Sequence, residues 1–169
     1  MTDGIETERK YLIRLPEEGF LARGEKWEIT QTYLTAAHGN RRVREVKTDE
    51  GTKYIYTEKH RLSVLSCREE EREITRDAYL ALLAEARADS APIQKTRYRI
   101  PYGGHMLEID RFPFWSDTAL LEVELADEND LFSLPDTVTV LREVSGDPLY
   151  KNTNIARYLK AHPDEALPQ

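Results

Sequence analysis

Six short segments of the chain carry like-charged residues two positions apart. They are Glu6/Glu8 followed by Lys10, Arg42/Arg44, Glu71/Glu73, Lys95/Arg97, Glu108/Asp110 and Glu122/Glu124. In a β-strand that spacing puts both side chains on one face, about 6.6 Å apart. Like charges so close repel, and a strand gains nothing structural from them. Repeated in both signs along one chain, the arrangement makes sense if it serves bound cations and a polyanion.

The elements that must position these pairs are legible from period-two alternation and β-forming residues. Strands are expected near 4–14, 26–35, 40–48, 52–60, 66–75, 93–100, 104–112 and 119–126. Thr48-Asp49-Glu50-Gly51 and Tyr102-Gly103-Gly104 are hairpin signals. The run from Asp77 to Arg87 reads as a helix with an Asp near its start and one apolar stripe, Tyr79, Leu80, Leu82, Leu83 and Ala86. A second helix is expected over 152–161, with Ile155, Tyr158 and Leu159 inward, and short helical turns near 17–23 and 127–133. Eight strands in mostly hairpin connections predict a β-dominated α+β fold, an eight-stranded antiparallel barrel or strongly curled sheet with flanking helices. Either the apolar faces point inward and the charges into water, or the lumen is wet and charged and the helices cover an apolar outside. Periodicity alone leaves both open.

Length fits one domain over 1–169, with a core of about 4–160 and a loosely ordered tail over 163–169. With 40% hydrophobic and 33% charged residues the composition is that of a globular chain. A net charge of −7 argues against bulk attraction to nucleic acid or to an anionic membrane, so neither is expected as a partner. No apolar run approaches a membrane span, and Met1-Thr2-Asp3-Gly4 carries no export signal, which makes the cytoplasm the expected location. The single Cys67 excludes an internal disulfide and a cysteine zinc site.

Taken in order, the motifs resemble those of the CYTH, or triphosphate tunnel metalloenzyme, family. Ile5-Glu6-Thr7-Glu8-Arg9-Lys10 is similar to its opening Glu-x-Glu-x-Lys signature. Arg42-Val43-Arg44, Thr57-Glu58-Lys59, Glu71-Arg72-Glu73, Lys95-Thr96-Arg97, Glu108-Ile109-Asp110 and Glu122-Val123-Glu124 then resemble the successive basic and acidic strands. Tyr150-Lys151-Asn152 resembles the lysine that follows the barrel. The resemblance implies a charged tunnel, a divalent metal (Mg2+ or Mn2+) and a small-molecule substrate containing a linear triphosphate. The bacterial inorganic triphosphatases are the most similar members. Related folds are often dimers, so a homodimer is an option, and nothing in the sequence identifies an interface.

The chemistry of the residues agrees with that implication. Binding a triphosphate needs cations from several directions, and Lys10, Arg42, Arg44, Lys59, Lys95, Arg97 and Lys151 are the candidates. Hard oxygen ligands suit magnesium or manganese, with Glu6, Glu8, Glu108, Asp110, Glu122 and Glu124 as candidate ligands. Glu71 and Glu73, with Lys10, are the candidate catalytic groups, holding a second metal or orienting water for in-line attack on the terminal phosphorus. Tripolyphosphate hydrolysis to pyrophosphate and phosphate is the expected reaction. ATP cyclisation or thiamine triphosphate hydrolysis on the same scaffold are alternatives, and a non-catalytic polyphosphate- or nucleotide-binding module is an alternative of another class.

Other residues have plainer readings. Glu69-Glu70-Glu71 leaves two registers, of which Glu71/Glu73 inward is preferred because it puts Ile74 outward. Lys53 is as well explained at the surface as in the lumen, and Arg41, Arg68, Arg99 and Arg111 read as surface charges. The four histidines have no ligand spacing. Cys67 reads as a buried small residue. Trp27, Phe112, Phe114 and Trp115 are expected to pack outside the barrel.

Overall fold

The alternating segments all form strands in a computed structural model that describes residues 4–169. Met1–Asp3, part of the stretch read above for an export signal, lie outside the described residues. The strands are β1 (Ile5–Arg14), β2 (Glu25–Leu34), β3 (Asn40–Thr48), β4 (Gly51–Arg61), β5 (Ser66–Ile74), β6 (Ile93–Tyr102), β7 (His105–Arg111), β8 (Thr118–Leu125) and β9 (Val140–Glu143). Three α-helices accompany them: α1 (Glu18–Leu21), α2 (Arg76–Leu82) and α3 (Asn152–Ala161). The neighbour order is β5-β4-β3-β2-β6-β7-β8-β1, and β1 pairs back onto β5, so eight antiparallel strands close into a barrel.

Local chemistry sets the corners. Gly103 and Gly104 both have positive φ, 57° and 81°, the pairing that a two-residue primed turn requires, and they join Tyr102 to its partner His105. The α2 cap is Thr75, whose hydroxyl accepts from the Ala78 N–H, rather than Asp77. That helix gives way to a 3₁₀ turn at Leu83–Glu85. No helix forms over 127–133. The Asp127 and Asp130 carboxylates accept the N–H groups of Asn129 and Ala126 and stabilise turns there instead. β9 lacked any sequence signal because all four of its residues are exposed and none alternates.

The question of which face is inside has a clear answer. Leu107, Ile109, Leu121, Val123, Tyr98 and Ile100 form an outer apolar layer, covered by Phe20 and Leu21 of α1 and by Phe132, Leu134 and Val138. On the opposite wall Val43 and Tyr56 pack under Tyr79 of α2. The charged members of the same strands therefore face the lumen.

One end of the lumen is filled. Leu12, Ile93 and Leu120 lie at the deep end of the charged faces of their strands, and Tyr33 lies at the same level on β2. They pack with Tyr150, Ile155, Ala156, Phe112 and Trp115. Phe112, Trp115 and their stacked neighbour Phe114 thus belong to this plug rather than to the barrel's outside. The tail is also ordered: Leu167 is 1% exposed in this cluster, its carbonyl accepts from Trp115 Nε1 at 2.8 Å, and the Pro168 carbonyl accepts from the Tyr150 hydroxyl. Polar composition hid a single docked leucine.

Leu167→Ala is therefore expected to lower the unfolding free energy by about 2–4 kcal/mol in urea titration, the range for emptying a packed leucine site. A change under about 0.5 kcal/mol would mean that the tail contributes nothing to the plug.

Candidate active site

Each lumen residue is placed by strand parity and register. β1 presents Glu6, Glu8 and Lys10. Glu8 sits opposite Glu124 of β8, and Lys10 opposite Glu122. Glu122 in turn faces Glu108 of β7, and Asp110 faces Arg97 of β6. β3 contributes Arg42 and Arg44, opposite Thr57 and Ile55 of β4, and Thr57 and Lys59 lie opposite Glu71 and Glu69 of β5. The register puts Glu69, Glu71 and Glu73 inward and Glu70 and Arg72 outward.

A cavity of about 270 Å³ opens at the unplugged end, lined by Glu6, Glu8, Arg42, Arg44, Lys59, Glu69, Glu71, Arg97, Arg99, Glu108, Glu122, Glu124 and Trp27. Most of the candidates meet here, and five do not. Lys95 and Asp110 lie deeper, fully covered, and pair with each other at 2.8 Å. Asp110 also takes Arg97 bidentately, Nε to Oδ1 at 2.8 Å and Nη2 to Oδ2 at 2.9 Å. With both oxygens committed, Asp110 is not placed to bind metal, nor Lys95 to bind phosphate. Glu73 is exposed and does not line the cavity. Lys151 lies at a separate opening with Lys10.

Several lining residues had no distinctive sequence signal. Arg99 is not a surface charge: it donates from Nε to Glu108 at 3.1 Å, and its guanidinium lies 4.8 Å from the ring centre of Trp27. Trp27 itself is a mouth residue rather than an outside one. Thr57 is fully buried and donates to Glu71, which also accepts from Arg44 at 3.1 Å. Glu69 was one of three consecutive glutamates, and only the register with Lys59 reveals it. Tyr33, which lines the second opening, could have been found by counting forward in twos from Trp27 along β2. Lys53 is exposed and lines neither opening.

The electrostatics divide the carboxyls into two kinds. Burial raises Glu6 and Glu122, but cations override it. Lys59, 2.9 Å away, pulls Glu6 down, and Lys10 and Arg97 hold Glu122 well below the ordinary range. Burial also raises Glu71, and the charge of Arg44 overcomes it. The second kind is frustrated. Burial, then the charges of Glu122 and Glu6, push Glu8 well up, and its Oε2 has no hydrogen-bond partner among the described residues. Burial and the hydrogen bond that its protonated carboxyl donates to Glu6 raise Glu69 to about 8. Burial and the nearby Glu108 raise Glu124 to about 7.

Glu8, Glu108 and Glu122 each offer a carboxylate oxygen, and the three lie within 4.8 Å of one another. Two full negative charges at that distance repel by roughly 3 kcal/mol at an effective dielectric of about 20. The orphaned Glu8 oxygen and this crowding fit a hard divalent cation, which would supply the missing positive charge. Arg42, 6% exposed with no partner at Nε, is the matching vacancy for an anion.

No protein-family model matches the chain. An inorganic triphosphatase of Acetivibrio thermocellus is 39% identical over 66 residues, which is 38% of this chain and 41% of that protein's length. The crystal structure of the inorganic triphosphatase NE1496 superposes with a TM-score of 0.56 at 26% identity, covering 90% of this chain and 94% of that one. The PH1819 protein of Pyrococcus horikoshii, 17% identical, shares the fold with a TM-score of 0.52 over 78% of this chain and 80% of its own. In its closed charged barrel and in part of its sequence the chain is similar to these triphosphatases, and it has the triphosphate tunnel fold.

Proposed function

We propose that the chain hydrolyses a linear triphosphate, with inorganic tripolyphosphate as substrate and pyrophosphate and phosphate as products. The observation that carries this reading is the pairing of two unmet demands in one lumen. In the carboxylate cluster Glu8 forms no ion pair and has an unpartnered Oε2 among the described residues, and the buried Arg42 has an unpartnered Nε. A phosphate chain with its counter-cation meets both. The names of the Acetivibrio relative and of NE1496 support the same reaction.

Glu8, Glu108 and Glu122 would hold Mg2+ or Mn2+, with Glu124 and Glu6 flanking them. When bound, such an ion neutralises phosphoryl oxygens and the charge that develops on them. Arg42, Arg44, Lys10 and Lys59 orient the phosphate chain from the other walls, and the arginines can do so bidentately. Arg97 cannot do so freely, because it organises Glu108, Asp110 and Glu122. Glu71 is kept charged by Arg44 and Thr57 and so can orient the attacking water and draw off its proton. The water oxygen bonds to the terminal phosphorus in line with the bridging oxygen, whose bond breaks as pyrophosphate leaves. Among the described residues no helix is long and apolar enough to cross a membrane.

Phosphate release from tripolyphosphate, ATP and thiamine triphosphate with Mg2+, Mn2+ or EDTA tests the proposal. Rapid metal-dependent release from tripolyphosphate, abolished by EDTA, is expected. Tight binding that survives EDTA without turnover would make the tunnel a binding module.

Glu8→Gln should reduce kcat/KM by about 100-fold or more, beyond the loss typical for a residue supporting a metal ligand. Thermal stability should stay level or rise, since the change relieves repulsion. Coincident loss of fold and activity would give Glu8 a structural role.

Metal-free protein should become less stable as pH rises from about 5 to 8. Glu8, Glu69 and Glu124 have raised pKa values when folded, so the folded state holds protons that the unfolded state has already released. Added Mg2+ should flatten that slope. Melting curves that are flat with pH without metal would contradict the crowding described here.

A further inference from the structure

The plug is tied to the charged lumen through one residue. Tyr150 is 1% exposed and ends the single 3₁₀ turn Pro148–Tyr150, which Asp147 caps by accepting the Leu149 N–H. Its two polar ends face different parts of the molecule. The hydroxyl donates to the Pro168 carbonyl at 2.8 Å and accepts from Arg142 Nη2 at 3.0 Å. The carbonyl accepts from Lys10 Nζ at 2.9 Å. Tyr150 thus touches the tail on one side and a lumen cation on the other.

Lys10 is held at its backbone and free to move at its tip. Its N–H donates to Ser145 Oγ at 2.9 Å and its carbonyl accepts the Val144 N–H at 2.8 Å. The ammonium is shared between the Tyr150 carbonyl and Glu122 Oε1, 3.3 Å away. Glu122 is one of the three carboxylates clustered with Glu8 and Glu108. An ammonium that moves fully onto that cluster competes there with a divalent cation. A lysine tip is a compact charge on a flexible four-carbon stem, so it makes that move once its other acceptor is displaced. The Tyr150 carbonyl is that other acceptor.

What keeps the Tyr150 carbonyl in place lies farther along the chain. A lone 3₁₀ turn has poor hydrogen-bond geometry and little stability of its own. Here the tail clamps it. Leu167 is buried in the plug, its carbonyl takes the Trp115 indole N–H at 2.8 Å, and the next carbonyl takes the Tyr150 hydroxyl. A segment docked by so few contacts opens more readily than the strands it rests on.

We infer that the docked tail sets the cation affinity of the lumen, with Tyr150 as the positioning residue between them. Docking keeps the Tyr150 carbonyl on Lys10, and Lys10 so held leaves Glu122 free for the cation. Undocking lets Lys10 close on the carboxylates and compete. This rests on the proposed metal site and adds a control over it that lies outside the lumen.

The test is Mg2+ affinity by calorimetry in wild type, in a variant lacking 164–169 and in Tyr150→Phe, which keeps the ring and loses only the hydroxyl. The deletion should weaken Mg2+ binding by about tenfold, the lower end of what partners of a metal ligand contribute, and Tyr150→Phe by about threefold or more. In a Lys10→Met background the deletion should have no further effect, because the competing ammonium is gone. By reciprocity, saturating Mg2+ should slow hydrogen exchange at the Trp115 indole N–H of wild type by the factor that the deletion costs in affinity. Unchanged Mg2+ affinity in Tyr150→Phe would overturn the inference, whether or not the deletion variant folds. So would a loss of affinity that persists in full in the Lys10→Met background, which a general loosening of the fold would give, or indole exchange indifferent to Mg2+. None of these readings involves turnover, so a wild type that behaves as expected here yet hydrolyses no triphosphate would overturn the proposed reaction alone.

Discussion

Everything in this barrel depends on charges that are held inside it and must neutralise one another. Strand parity and closure fix eight carboxyls in the lumen (Glu6, Glu8, Glu69, Glu71, Glu108, Asp110, Glu122 and Glu124) against seven cations (Lys10, Arg42, Arg44, Lys59, Lys95, Arg97 and Arg99). Buried ion pairs contribute little net stability, because desolvation offsets their attraction. Their value here is positional. Arg97, gripped by Asp110 and reaching Glu108 and Glu122, fixes two of the three clustered carboxylates at once. The fold's stability comes instead from the apolar layer outside the barrel and from the plug at its end.

Near-balance of charge also constrains what can enter. A polyanion alone would leave the lumen strongly negative, and a divalent cation alone would find Arg42 and Lys59 repelling it nearby. Entering together, each lowers the cost of the other. Two ligands that stabilise each other in this way are linked reciprocally, so metal affinity rises with the anion as much as anion affinity rises with the metal. The frustrated carboxyls, Glu8, Glu69 and Glu124, mark where the cation's charge is missing.

Much of this was legible in the sequence because β-structure has a short period. A pair such as Glu122/Glu124 alternating with Leu121, Val123 and Leu125 already determines that one face is charged and the other apolar. Which face is inside needed the covering elements, and those are irregular segments around Phe132, Leu134 and Val138 that carry no periodic signal. Pairing across strands was equally hidden. Lys95 and Asp110 have the same spacing as the lining residues, yet register brings them together and removes both from the free surface. Glu69 and Arg99 were the converse, plain by spacing and placed in the lumen by their neighbours. β9 and Leu167 escaped because one exposed tetrapeptide and one leucine in a polar tail offer no pattern to read.

The short seam between β1 and β5 is the least expected feature for a closed barrel. A full ladder there would leave no free edge, the usual gain from closure. It would also wall off Arg42 and Lys59, leaving them open to solvent only through the acidic mouth, where an incoming anion is repelled first. Diverting β1 onto β9 after three pairs keeps the edge satisfied and still leaves a basic approach to the same side chains. The gap beside β1 is thus consistent with the charge distribution around it. The lumen opens on its acidic side toward cations and on its basic side toward anions, and the two routes meet at Glu8 and Arg42.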